Sequence, residues 1–408
     1  MSAAVTMARG GMWKRRLQEE IRATMPQGLD ALLFWAVVLI ASWGLVMVYS
    51  ASVAMPMSNK FASLSQYHYL QRHAAWLMLG TVAALVAYRI PTEMWEQWTR
   101  LLLVLSILML LLVLIPGIGR EAKGATRWIN LGGLGVQPSE FAKLSVLLFC
   151  AQHMVRNGAV EGTGLQGLRA SLHAVMPVGI VLTIMGGLLL CEPDLGALVV
   201  IVAIAVGVVF LGGIRPSLIL LALGIVGIVV TLAIMKVDWR LGRFLAFLNP
   251  VEAMKEYGYQ LVMSLIAVSR GGYLGVGLGN GVEKFAWLPE PHTDFLFAIL
   301  AEETGFMGVV LLVLFFAVVV WRIVRIGDKA VRLRRPFAGL VAMGIGVWFG
   351  FQTLFNMGVV LGLLPTKGLT LPLMSYGGSA MFGNLLALGI VFRIDGENRG
   401  LRKGEGRR

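Results

Sequence analysis

The stretch Leu288-Pro289-Glu290-Pro291-His292-Thr293-Asp294-Phe295 places two prolines, a histidine and an aspartate just before an apolar run that carries Glu302 and Glu303. Prolines break the chain there, and Thr293 or Asp294 is the natural N-cap of the helix that follows. Capping would account for Asp294 but not for Glu302 and Glu303, about two turns deeper. Carboxylates set among apolar residues and other acids suit a general base. Such a base is worth roughly 10²–10⁴ in rate.

Cations stand in three further segments. Arg127 beside Trp128 offers a charge and a flat surface to a phosphate or a sugar. In Gln137-Pro138-Ser139-Glu140-Phe141-Ala142-Lys143, Pro138 fits a first helical turn, where its missing N–H costs nothing. Glu140 and Lys143, three apart, share a helix face and can pair. That pair reads either as a structural ion pair at a helix entrance or as a carboxylate and an ammonium at the mouth of a polar groove. Lys367 lies between Pro365 and Pro372 in a stretch that continues through Ser375, Tyr376, Gly377 and Gly378. Non-helical backbone at membrane depth survives only where it lines a cavity. Lys367 there is a counter-charge for an anion, or else a lysine snorkelling to the interface. In Glu192-Pro193-Asp194, Asp194 suits an N-cap, and capping explains these acids better than a metal site does.

Other chemistries find little support. Gly271, Gly272, Gly275, Gly277, Gly279 and Gly281 match a nucleotide loop weakly, because no strand is expected before them, and they read as flexible loop backbone. No Walker A or nucleophile-elbow motif occurs. Cys150 and Cys191 indicate neither a disulfide framework nor zinc, and the five histidines show no ligand spacing.

The elements that must position these residues are membrane helices. Of 408 residues, 57% are hydrophobic and only 14% charged, against about 25% charged in soluble chains. The net charge of +13 fits cytoplasmic loops facing anionic lipid rather than nucleic acid. Long unbroken apolar runs favour helices over barrel strands. Ten spans are expected, at 31–53, 69–90, 99–117, 138–156, 172–190, 195–213, 216–236, 294–323, 337–363 and 371–392. The class is an all-α polytopic integral membrane protein. Arg322, Arg325, Lys329, Arg332, Arg334 and Arg335 fall inside if both termini are cytoplasmic. A basic segment, 1–28, then precedes the transmembrane domain, 29–393, and a basic cytoplasmic tail, 394–408, follows it. The loop 118–137, the turn 191–194, the long extracytoplasmic segment 237–293 between spans seven and eight, and 364–370 face outward. Segment 237–293 is expected to contain partial helices on the outer surface. The scarce charges Glu140, Lys143, Glu192, Asp194, Asp294, Glu302, Glu303 and Lys367 form one polar cluster at one depth.

These motifs, with Gly124-Ala125-Thr126-Arg127-Trp128-Ile129, Glu192-Pro193-Asp194-Leu195-Gly196 and Leu364-Pro365-Thr366-Lys367-Gly368-Leu369-Thr370-Leu371-Pro372, resemble those of the SEDS family (shape, elongation, division and sporulation). The resemblance covers about residues 30 to 395 and is nearer the cell-division branch than the elongation branch. It implies a peptidoglycan glycosyltransferase that polymerises lipid II for the septal cell wall, in the bacterial inner membrane. The partners it implies are a class B penicillin-binding protein and other division proteins. It makes Asp294 the leading catalytic residue, with Glu140 and Lys143 as further catalytic candidates. Asp294 would deprotonate the acceptor hydroxyl. The other substrate-binding candidates are Arg127, Trp128, Arg243, His292, Glu302, Lys367 and Ser375. Arg127, Lys143, Arg243 and Lys367 would meet the charge of the undecaprenyl pyrophosphate leaving group. A divalent cation, Mg or Mn, held by acids would help; no nucleotide is expected. Two rival functions are a lipid II flippase and a non-catalytic division scaffold. A carrier would place its ionisable residues near midplane with access from both sides. A scaffold has no use for acids buried at the outer mouths of spans.

Overall fold

The computed structural model describes residues 28–405 apart from 58–62, 64, 123–124, 132–133, 158–163, 256 and 286. Most of the basic N-terminal segment therefore lies outside the described residues, as do Gly124 and the end of the tail.

Helices occupy all ten stretches read as spans: α1 (Ala31–Ser52), α2 (His68–Arg89), α3 (Thr92–Val113), α4 (Pro138–Asn157), α5 (Gly164–Cys191), α6 (Leu195–Leu211), α7 (Pro216–Met235), α10 (Leu296–Arg332), α11 (Pro336–Val360) and α12 (Gly378–Glu405). Among the described residues, six helices are long and apolar enough to cross a membrane: α1, α3, α5, α10, α11 and α12. The chain is a multi-pass membrane protein. Two shorter helices, α8 (Asp238–Leu248) and α9 (Tyr259–Gly271), fall within the long segment between α7 and α10.

The helix starts follow local chemistry. Asp30 caps α1, its Oδ1 accepting from Leu33 N at 2.9 Å, and Asp194 caps α6, accepting from Ala197 N at 3.2 Å. Prolines open α4, α7 and α11. The core is a continuous apolar cluster in which α2 packs along α12 and α10 along α11, with Trp348, Phe349, Phe297 and Leu147 fully buried.

Three departures from the sequence expectation bear on function. First, the loop 118–137 holds a three-stranded antiparallel sheet of β1 (Gly119–Ala122), β2 (Ala125–Leu131) and β3 (Leu134–Val136), with Arg120 opposite Trp128 and Ile129 opposite Val136. Strands of three to seven residues separated by glycines carry too little alternation to be read. Second, α12 starts at Gly378 rather than 371, and residues 371–377 are non-helical.

Third, α12 runs past Arg393, where a polar tail was expected, and Arg393, Asp395, Glu397 and Asn398 are buried. Glu397 accepts from Thr92 N at 3.1 Å and pairs with Arg335 and with Arg393, the latter at 2.5 Å. Asp30 pairs with Arg322 and, at 3.6 Å, with Arg399. This network ties the ends of α1, α3, α10, α11 and α12 together.

The glycine-rich stretch is not simple loop backbone. α10 is interrupted at Gly305 (φ +66°, ψ −167°). There the segment after α9 is spliced into the helix. Val276 N and Gly277 N donate to the carbonyls of Glu302 and Glu303 at 3.0 Å, while Phe306 N and Met307 N donate to Gly272 O and Tyr273 O at 2.9 and 3.1 Å. Four backbone groups at the break thus find partners across it. Only glycine permits the approach: Gly275 sits at φ +80°, and a Cβ there would lie 2.2 Å from Glu303 O. Gly275→Ala is therefore expected to destabilise the protein by about 1–3 kcal/mol or more. A clear fall in the thermal unfolding midpoint of the detergent-purified protein would register it; an unchanged midpoint would refute the splice as drawn.

Candidate functional site

The non-helical segment between α11 and α12 is the hub. Gln352, one face of α11, receives Lys143 Nζ (3.2 Å) and Trp348 Nε1 (2.8 Å) on its Oε1, and its Nε2 donates to Thr370 O at 2.8 Å. One turn later, Asn356 Nδ2 donates both to Asp294 O (2.9 Å) and to Leu369 O (2.5 Å). These two amides hold the backbone of 369–370 and the Asp294 segment against α11.

Gly368 is the point of closest convergence. A Cβ at 368 would lie 2.9 Å from Asp294 Oδ2, and a Cβ at Gly196, in the first turn of α6, would lie 3.0 Å from Gly368 O. The carboxylate of Asp294 and the start of α6 thus meet at one exposed glycine adjoining Lys367. The cap expected of Thr293 or Asp294 is absent. Phe295 holds the cap position of α10 with no side-chain hydrogen bond, and Thr293 Oγ1 bonds to Glu290 instead.

The α6 start brings further charge. Asp194 accepts from Gln137 Nε2 at 2.9 Å and Ser139 Oγ at 3.1 Å. Arg127, on β2, donates to the carbonyls of Glu192 (3.3 Å) and Pro193, and stands 3.9 Å from Asp194 Oδ1. Arg243, on α8, is partly buried. Burial holds its guanidinium below the ordinary range; the charge of Arg127 acts in the same direction, and Asp294 and Tyr257 act against it. Arg127 and Asp294 therefore both lie within electrostatic reach of Arg243.

Asp294, Lys367, Arg127 and Arg243 are all partly exposed, so they can meet a substrate. Glu140 and Lys143 differ. They pair at 2.7 Å with side chains 8% and 0% exposed, and Lys143 lies over the Trp348 ring at 5.2 Å. A sealed ammonium cannot touch the leaving group; the pair fits a support beneath residues 366–370, contrary to the direct contact expected from sequence.

Other expected contacts also change character. Trp128 packs on Gly135 of β3. His292 is 3% exposed, its ring 4.2 Å from Tyr69 and 5.5 Å from Tyr376, in an aromatic wall. Ser375 Oγ accepts from Leu371 N at 3.0 Å and shapes the turn before α12. Glu302 is fully buried and accepts from Val282 N (2.8 Å) and Glu283 N (3.3 Å), which occupies it with the splice rather than with a ligand. Gln352 and Asn356, which organise the site, escaped the sequence reading: uncharged amides inside an apolar run give no signal beyond their polarity.

Glu192 is fully buried, and both carboxylate oxygens lack a hydrogen-bond partner. Burial, reinforced by Asp194 and opposed by Arg127, pushes its carboxyl up to about 8 from an ordinary 4.5. An acid that holds its proton more tightly folded than unfolded contributes stability that is complete below the unfolded value and lost as pH rises through the folded one. Glu192→Gln should thus exceed the parent in stability at pH 8, with the difference vanishing near pH 4.5. Thermal unfolding across that range checks this, and a gap that widened toward acid would contradict it.

Among the described residues, no three His, Cys, Asp or Glu side chains come close enough to hold a metal ion, and Asp194 is already committed to Gln137, Ser139 and Ala197. The described residues do not fit a preformed divalent site.

The chain matches the FtsW/RodA/SpoVE family model, described as cell cycle protein, over residues 30–400. The probable peptidoglycan glycosyltransferase FtsW of Aromatoleum aromaticum is 46% identical over 378 residues, 93% of this chain and 90% of that protein. That of Nitrosomonas europaea is 46% identical over 376 residues, covering 92% and 95%. Among solved structures, a chain of a peptidoglycan synthase complex that coordinates polymerization and crosslinking aligns with TM-score 0.73 at 28% identity, over 91% of this chain and 98% of that one. The rod shape determining protein RodA of Thermus thermophilus aligns with TM-score 0.64 at 27% identity, over 90% and 97%.

Proposed function

This chain is a member of the FtsW/RodA/SpoVE family of cell cycle proteins, and from that premise we propose that it is the peptidoglycan glycosyltransferase that polymerises lipid II into septal glycan strands. The observation that carries the mechanism is the Asp294 carboxylate. It abuts Gly368 and lies within electrostatic reach of Arg243.

Asp294 takes the proton from the 4-hydroxyl of the acceptor N-acetylglucosamine. The oxygen attacks C1 of the donor N-acetylmuramic acid from the face opposite the pyrophosphate. The C1–O bond to pyrophosphate breaks with inversion, and undecaprenyl pyrophosphate departs. Arg127, Arg243 and Lys367 offset the charge that develops on the leaving group. Glu140 and Lys143 act from below, through Gln352, by holding Thr370 in place.

The ten helices read as ten spans with both termini cytoplasmic, which puts this site at the extracytoplasmic face, where lipid II is presented. The enzyme sits in the bacterial inner membrane at the septum and works with a class B penicillin-binding protein that cross-links the peptides. Arg322, Arg335 and Arg399 at the opposite end support this orientation under the positive-inside rule. A divalent cation remains a proposal that would require the substrate's own oxygens as most of its ligands.

Liposomes holding the chain, its transpeptidase and labelled lipid II test the reading when both polymer and translocation are scored. Polymer is expected. Translocation without polymer would establish a flippase instead.

A further inference from the structure

Lys284 and Glu303 lie 19 positions apart, with Asp294 midway between them. The two side chains form a salt bridge of 2.7 Å at 1% and 0% exposure. Lys284 Nζ also donates to Gly279 O at 2.6 Å and to Ser50 Oγ at 3.0 Å, and Ser50 Oγ donates to the Glu303 carboxylate at 2.7 and 2.8 Å. Glu302, beside Glu303, takes the N–H groups of Val282 and Glu283. The ends of the 284–303 segment are thus joined to each other and to α1.

Backbone bonds from Val276 N and Gly277 N to the carbonyls of Glu302 and Glu303 run beside this pair. The break at Gly305 separates this segment from the long remainder of α10. Midway along, the Asp294 segment is anchored toward α11 and the 364–377 stretch by Asn356 Nδ2 on Asp294 O and by Tyr376 N on His292 O, each at 2.9 Å. A carboxylate suspended between two anchors takes its position from both.

We propose that Lys284 and Glu303 are positioning residues for the transfer reaction: their buried ion pair closes the segment that carries Asp294 and so sets the carboxylate against Gly368 and the acceptor hydroxyl. This rests on Asp294 being the base. A displacement of about 1 Å from a change remote from the chemistry can cost about 10²-fold in rate. The substrate contacts of Arg127, Arg243 and Lys367 lie outside the segment and are retained.

The test compares Lys284→Met, Ser50→Ala and Asp294→Asn with the parent, each in the full complex with the transpeptidase, using lipid II as substrate. Lys284→Met is expected to lower kcat by about 10²-fold while KM stays within about twofold, the pattern of an interaction lost only in the transition state. Hydrogen exchange of the amides 285–295 should rise in the same variant, with α11 unaffected. Should Lys284→Met be recovered unfolded, Ser50→Ala, which deletes one contact to each member of the pair, must lower kcat severalfold by itself. Parental kcat in Lys284→Met or in folded Ser50→Ala, a loss carried by KM alone, or unchanged exchange at 285–295 would overturn the proposal whatever Asp294→Asn does. Near-parental polymerisation by Asp294→Asn would instead remove the base reading on which the proposal stands.

Discussion

Asp294→Asn, reconstituted with its transpeptidase and supplied with lipid II, is expected to polymerise about 10²–10⁴-fold more slowly than the parent. The amide is nearly isosteric, so Gly368 still accommodates it, and Asn356 still donates to the residue's backbone carbonyl. What disappears is the ability to accept a proton. Lipid II binding should persist, because Arg127, Arg243 and Lys367 are untouched. The measurement is strand synthesis followed on gels beside photocrosslinking of lipid II. Loss of both together would mean that Asp294 binds substrate and that the base lies elsewhere. Gly368→Ala should move in the same direction, since a methyl would press on Oδ2 at 2.9 Å.

The second large effect belongs to Lys143. Lys143→Met leaves Glu140, itself 6% exposed, as a buried carboxylate without its counter-charge. Breaking a buried pair from one side costs about 3–5 kcal/mol, whereas replacing both partners with apolar residues is often neutral. The single variant should therefore lose much of its folded yield and thermal midpoint, and Glu140→Leu combined with Lys143→Met should recover them. Activity should not recover with stability. Gln352 would lose the Lys143 donor while still holding Thr370 O, and residues 366–370 would be less firmly seated beside Asp294. A double-mutant cycle separates the two quantities. A single variant as stable and as active as the parent would show that the pair supports nothing.

How far this was legible in the sequence differs by element. Long apolar runs marked the helices because burial in lipid demands them, and capping residues such as Asp30 and Asp194 act within three positions of themselves. Asp294 was legible by type and setting, although the cap assigned to its stretch was not formed. The partners of the buried charges were not legible. Ser50 meets Glu303, Thr92 meets Glu397 and Asp30 meets Arg322 across some 250 to 305 positions, and no local pattern carries such information. For the same reason Glu302 reads from the sequence as a substrate contact. Its use by Val282 N and Glu283 N becomes visible only once the glycine stretch is seen spliced into α10. Asp395 and Glu397 fall in the stretch that reads as a basic cytoplasmic tail, because charge in sequence says nothing about whether a counter-charge waits nearby.

The central claim is spatial: the reacting sugars and the pyrophosphate meet where Asp294, Gly368, Arg127 and Arg243 converge. An experimental structure of the full complex with lipid II bound tests this most directly. The expected result is the acceptor 4-hydroxyl within hydrogen-bond reach of the Asp294 carboxylate and the pyrophosphate against Arg127, Arg243 or Lys367. Lipid II seated instead at the Glu397 and Asp30 end of the helices, or along a face from which Asp294 is turned away, would contradict it.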